Sequence, residues 1–228
     1  MRRPNRPVSL SGLIVSFVLL SLSTSKAQIG VKIGAVAGED FAGSQTLPSP
    51  FPNSTAQGAT GYILGIAVDK NLIGPLSLET EILLTQRSFK DAATIPNGQP
   101  NAGNIQTWVE KINYLQLPVL FKLTPLDGKF QPYVFAGPNI GFKLSASSVT
   151  TQAGQSTTVD ESTFSKYLDL GLDAGGGIGI QVIPLLTFFA DARYTFGLVD
   201  VYNNVKGSTA GNLKARDIKW TGGLMFGF

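Results

Sequence analysis

The chain has 228 residues, with 18 basic and 15 acidic side chains and neither cysteine nor histidine. Those absences exclude a disulfide framework, thiol chemistry, and the histidine on which most serine nucleophiles and zinc sites depend. Four of the basic residues lie before residue 28, where no acid occurs, so the remainder carries 14 basic against 15 acidic residues and lacks the electrostatic footprint of a nucleic-acid partner.

The first element, residues 1–27, opens with Arg2, Arg3 and Arg6, continues through an apolar stretch from Leu10 to Leu22, and ends with Ser25 and Ala27 at the −3 and −1 positions of a cleavage before Gln28. This is the layout of an export signal. A retained membrane anchor is the weaker alternative, because Ser11, Gly12, Ser16 and Ser21 interrupt a stretch already short of the roughly 20 residues that a spanning helix needs. The domain is therefore expected at 28–228. It contains no other apolar run of helix-spanning length, and any membrane crossing must be made by strands.

Period-two alternation, the mark of a strand with two unlike faces, recurs eight times. Segments near 28–38, 59–70, 75–88 and 107–123 come first. In the third, Leu76, Leu78, Ile82 and Leu84 oppose Glu79, Glu81, Thr85 and Arg87. In the fourth, Leu115, Leu117, Val119, Phe121 and Leu123 share a face, while Trp108, Ile112 and Tyr114 fall in the opposite phase, so a bulge is expected between Asn113 and Pro118. The pattern is clearer in 131–144, 164–182, 186–198 and the stretch from Lys219 to Phe228. There Leu168, Leu170, Leu172, Ile178 and Ile180 oppose Asp169, Gly171, Asp173, Gly175, Gly177 and Gly179, and Phe188, Tyr194 and Phe196 oppose Asp191, Arg193 and Thr195.

Connections alternate in length. Those at 39–58, 89–106, 146–163 and 203–212 are long and polar, whereas those at 71–74, 125–129 and 183–184 are tight and punctuated by Gly or Pro. An even strand count with this alternation is the organisation of an all-β, eight-stranded antiparallel up-and-down transmembrane β-barrel of the bacterial outer membrane. A soluble ligand-carrying barrel of the periplasm has the same periodicity with its faces exchanged. Size favours the membrane form, because eight strands enclose little more than packed side chains, so the glycine-rich face belongs inside and the bulky Phe, Leu and Ile face outside.

The inward face then collects Lys32, Arg87, Lys122, Lys143, Arg193 and Lys219 with Asp69, Glu79, Glu81, Asp169, Asp173 and Asp191, six of each sign, as a structural ion-pair network. On the lipid face each Lys or Arg would cost about 2–4 kcal/mol near the midplane. Trp108, Phe130, Phe142, Phe164, Tyr202, Trp220 and Phe228 lie near strand ends and suit interfacial girdles. The strand ending at Phe228 looks like the signal read by the outer-membrane assembly machinery, and membrane lipid is the other expected partner.

Asn113-Tyr114-Leu115-Gln116-Leu117-Pro118, Pro132-Tyr133-Val134-Phe135-Ala136-Gly137-Pro138 and Ala192-Arg193-Tyr194-Thr195-Phe196-Gly197-Leu198 together resemble the PorT-like outer-membrane β-barrels of Bacteroidetes, across nearly all of 28–228. The resemblance implies an OmpX-like eight-stranded barrel. One branch of that family serves protein secretion and gliding, but no residue here transfers such a role.

Chemistry is sparse. The pairs Glu79/Glu81 and Asp169/Asp173 could do acid/base work but read as lumen ion pairs. The run from Gly175 to Gly179 lacks the Lys-Ser/Thr of a phosphate loop, and Glu39-Asp40 and Asp160-Glu161 read as solvated loop pairs. No catalytic residue, cofactor or metal is expected. The leading reading is a non-enzymatic, monomeric barrel with a filled polar lumen and four polar extracellular loops, serving envelope structure, surface interaction or export assembly. A small-solute or ion pore is the alternative.

Overall fold

A computed structural model describes residues 30–42, 47–48, 55–95, 102–126, 128–160, 166–200 and 214–228. The strands in chain order are β1 (Val31–Ala42), β2 (Leu47–Pro48), β3 (Thr55–Ile73), β4 (Leu76–Thr94), β5 (Ile105–Leu123), β6 (Phe130–Gln152), β7 (Gln155–Asp160), β8 (Leu168–Ile183), β9 (Leu186–Asp200) and β10 (Lys214–Gly227). Eight of them form an antiparallel ring in the order β1-β10-β9-β8-β6-β5-β4-β3, closed where β3 returns to β1. The two-residue β2 pairs with β3, and β7 pairs with β6. Each strand of the ring sits beside its neighbour in sequence, which makes the barrel up-and-down.

The faces follow the alternation. Leu172, Phe188 and Tyr194 point outward and are 47%, 46% and 44% exposed, whereas Asp173, Asp191, Arg193 and Thr195 on the same two strands are buried inside. Tight turns occupy one end of the barrel: Gly74-Pro75, where Gly74 adopts a left-handed φ of 54°, and Pro184-Leu185. The strand ends that border the long connections lie at the other end.

Several expectations are corrected. Residues 146–163 are not simply a loop, because β6 continues to Gln152, turns at Ala153 (φ 48°) and Gly154 (φ 81°), and returns as β7. Two successive positive φ values describe the tight turn whose twist suits a hairpin. Thr and Val supply strand propensity here, but both faces are polar, so no alternation betrays the strands. Similarly, β1 runs on through Glu39-Asp40 to Ala42 and places those two side chains on opposite faces, so they cannot act as a pair.

The bulge is also placed differently. The register does shift at Asn113/Tyr114, but Ser145 and Lys143 are their partners, so the extra residue is Leu144 of β6. The fifth strand keeps its period throughout, with Trp108, Ile112, Tyr114, Gln116 and Lys122 all inward. Trp108 is therefore 7% exposed inside the barrel and is no girdle residue, whereas Phe130, Trp220 and Phe228 are exposed outside. Phe164 and Tyr202 lie outside the described residues.

Candidate functional site

Charge in the interior is organised in clusters, each built on one cation, two carboxylates and one aromatic ring. Nearest the tight turns, Lys122 Nζ lies 2.7 Å from Glu79 Oε2 and 3.1 Å from Asp69 Oδ2, over the Tyr133 ring at 4.2 Å. Next along the axis, Arg193 reaches Glu81 Oε2 at 2.6 Å and Asp191 Oδ1 at 3.2 Å, with its guanidinium carbon 5.1 Å from the centre of Phe135. In the third, Arg87 bonds Asp169 Oδ2 at 3.2 Å and Asp217 Oδ2, and lies 5.1 Å from the Tyr114 ring centre. Desolvated cation–π contacts of this kind contribute up to about 2 kcal/mol each.

The glycine run of β8 makes two of these clusters possible. Tyr133 of β6 stands opposite Gly177, which in turn stands opposite Asp191 of β9. The tyrosine crosses the intervening strand and its hydroxyl donates to Asp191 Oδ2 at 3.1 Å. A Cβ on Gly177 would sit 2.8 Å from Tyr133 Cζ and 2.5 Å from Asp191 Cβ. One step along, Phe135 crosses Gly175 toward Arg193 in the same way, and a Cβ there would meet Phe135 Cζ at 2.8 Å. These glycines accommodate aromatic rings as well as the charged groups expected there.

The remaining sequence-derived residues take other partners. Asp173 accepts from Asn139 Nδ2 at 2.9 Å and from Thr195 Oγ1 at 2.6 Å, and Lys219 Nζ donates to Gln116 Oε1 at 2.9 Å. Lys32 is half-buried and borders a cavity of about 30 Å³ with Asp69, Lys122, Tyr133 and Phe189, which is room for roughly one water. Lys143 is half-buried beside the Leu144 bulge. Glu79 and Glu81 belong to different cations, and Asp169 is held by Arg87 while Asp173 is held by Asn139 and Thr195, so neither pair forms an acid/base dyad.

Five groups escaped the sequence reading: Asp217, Asp40, Glu110, Tyr133 and Phe135. Their parity was the available signal, since each falls in the inward phase of its strand. The balance of six and six is corrected accordingly. Among the described residues nine buried carboxylates face four buried cations, and adding the half-buried Lys32 and Lys143 still leaves three carboxylates in excess.

Beyond the third cluster, toward the long connections, apolar side chains share the interior with buried Glu110 and Ser148, which stand opposite each other on β5 and β6. Ala42, Phe89, Trp108, Ile112, Tyr114 and Ala146 pack together there. Outside, at the same level, Tyr62, Gln86, Asn113 and Ser145 form a hydrogen-bonded belt, with Gln86 Nε2 3.1 Å from Asn113 Oδ1 and Asn113 Nδ2 2.9 Å from Ser145 Oγ. Below that belt the outward side chains of β4 and β5 are Leu84, Ile82, Leu78, Leu115, Leu117, Val119 and Phe121, with Thr80 the polar exception.

An apolar outer band around a charged, narrow centre is the inverse of a soluble barrel. The family model for the outer membrane protein beta-barrel domain matches residues 16–203. The chain belongs to that family. It is a bacterial outer-membrane barrel, and its apolar band faces lipid. No curated protein matches it. Among solved structures it is similar to Neisserial surface protein A (NspA), at 14% identity over 87% of this chain and 97% of that one, with a TM-score of 0.48. It is also similar to Ail, the attachment invasion locus protein of Yersinia pestis, solved with the heparin analogue sucrose octasulfate, at 11% identity, 88% and 100% coverage and a TM-score of 0.38. The outer membrane protease OmpT from Escherichia coli gives 8% identity, 91% and 100% coverage and a TM-score of 0.35. The family assignment rests on the family model.

Proposed function

We propose that this protein is a non-catalytic envelope barrel whose interior is closed and whose work is done by its scaffold and its long-connection end, in surface interaction or in support of an export assembly. The observation that carries this reading is the stacking of three cation-centred clusters beneath a mainly apolar cluster, which fills the narrow centre of the barrel with packed and bonded side chains. The carboxylate pairs that might have done acid/base chemistry are each held by separate partners.

In this reading residues 1–27 are removed on export, the tight turns face the periplasm and the long connections face outward. The assembly machinery takes hold of β10 through the strand ending at Phe228, the barrel is monomeric, and it falls in the PorT-like branch on the strength of its Asn113–Pro118 and Pro132–Pro138 segments. Planar-bilayer recording of the refolded protein tests the closed interior. Electrically silent membranes are expected, and large, stable open channels would overturn the reading in favour of a pore.

A further inference from the structure

The interior carries more carboxylate than its cations can neutralise, and one of those carboxylates has no bonded partner. Each of Lys122, Arg193 and Arg87 serves two carboxylates, so each cluster retains a negative charge. Asp173 is held by neutral donors. Asp40 is held by none: it is 1% exposed, and neither Oδ1 nor Oδ2 has a hydrogen-bond partner.

The charged groups around Asp40 are Asp217, Lys219, Arg87 and Asp173. Lys219 stands directly opposite it across β10, yet gives its Nζ to Gln116, and Arg87 is taken by Asp169 and Asp217. The residue opposite on β3 is Gly61, which offers no side chain. An ionised carboxylate buried without compensation would cost several kcal/mol.

The other buried side-chain atoms without partners among the described residues are Thr85 Oγ1, Asn139 Oδ1 and Asp169 Oδ1. All are oxygens, and each lies on or near a partner of Arg87 or Asp173, two of the charged groups that act on Asp40. Asp169 is bonded to Arg87, Thr85 precedes Arg87 by two positions on the inward face of β4, and Asn139 is bonded to Asp173. The shortage is thus of positive charge, and the free donors are carboxylate, amide and hydroxyl oxygens, the set preferred by hard cations. Among the described residues Asp40 is the one buried carboxylate with neither oxygen bonded, and no group of three acidic side chains is placed to hold a metal, so a singly charged ion matches the uncompensated charge.

We propose that the barrel interior binds a monovalent alkali cation, anchored by Asp40 and completed by neutral oxygens beside Arg87. The ion offsets part of the lumen's negative excess and is a component of the folded barrel.

The test uses sodium as the probe and two isosteric variants of adjacent residues in β1. Asp40→Asn removes the anchor, while Glu39→Gln removes the same charge from the exposed outer face. In detergent micelles, refolded wild type and Glu39→Gln should broaden the sodium NMR line equally, and Asp40→Asn should leave it at the width of free ion. In urea unfolding at fixed ionic strength, replacing choline by sodium at about ten times its dissociation constant should raise the wild-type folded-to-unfolded ratio about tenfold. Asp40→Asn should lose that dependence. Equal line widths in all three proteins, or equal wild-type unfolding midpoints in sodium and choline, would overturn the proposal. If Asp40→Asn does not refold, the choline comparison on wild type and Glu39→Gln decides the matter alone.

Discussion

Two levels of the same barrel obey opposite rules. Within the lipid band, β4 and β5 turn Leu84, Leu115 and Leu117 outward and Arg87, Gln116 and Lys122 inward. A few residues further along the same strands, Lys90 and Lys111 are exposed outside while Phe89, Trp108 and Ile112 fill the interior. The register of side chains does not change between these levels. What changes is the outer face, which beyond the hydrogen-bonded belt of Gln86, Asn113 and Ser145 carries charge in place of aliphatic side chains, while the inner face gains apolar groups around buried Glu110. The outer face of β4 and β5 therefore changes from apolar to charged without a change of phase, as a strand leaving a lipid band requires.

The comparison can be broken most severely in the charged level. Arg193→Leu leaves Glu81 and Asp191 buried together without their cation, and should lower unfolding stability in vesicles by about 3–5 kcal/mol. Converting Arg193, Glu81 and Asp191 together to Leu should recover most of that loss, because the penalty comes from uncompensated charge rather than from a missing favourable contact. If the triple variant is no better than Arg193→Leu, the cluster is not an electrostatic unit.

In the apolar level, Ile112→Ala should cost about 2–4 kcal/mol through the cavity it opens among Phe89, Trp108 and Tyr114. A loss below about 0.5 kcal/mol in urea titration would mean that this end is loosely packed and does not seal the axis. The smallest expected effect lies at the crossing between β6 and β9. Gly177→Val should destabilise by about 1–3 kcal/mol by crowding the Ala190 carbonyl and driving the Tyr133 ring off Asp191, and pairing it with Tyr133→Ala, which relieves only the second contact, should cost less than the sum of the two changes. Strict additivity would show that the ring and the glycine are independent.

This change of outer face also explains what could be read from the sequence. Asp169, Asp173, Asp191 and Arg193 were legible as inward groups because, within the lipid band, a charged phase opposed to an apolar one has a single arrangement in an eight-stranded ring. Trp108, Ile112 and Tyr114 looked like a slip because the rule was applied beyond the level at which lipid enforces it. The hairpin of β6 and β7 was hidden for a related reason: its residues from Ser147 to Asp160 meet no apolar phase on either side. Asp40 and Asp217 were missed because strands were expected to end with the apolar alternation, whereas β1 continues to Ala42 and β10 begins at Lys214. Parity places a side chain inside, but the choice of partner depends on shear between strands. Arg87 meets Asp217, which is 130 positions away in sequence.

The pairing of β1 with β10 has a consequence for how the molecule comes into being. Lys32 lies against Gly227 and Ala42 against Asp217, so the earliest strand finds one of its two neighbours only in the latest. Until β10 is delivered, β1 and β9 each present an open row of backbone donors and acceptors, which hydrocarbon does not tolerate and which invites pairing with other chains. Closure of the ring must therefore wait on synthesis of nearly the whole domain. The same seam, formed last, is the natural place for the wall to open first.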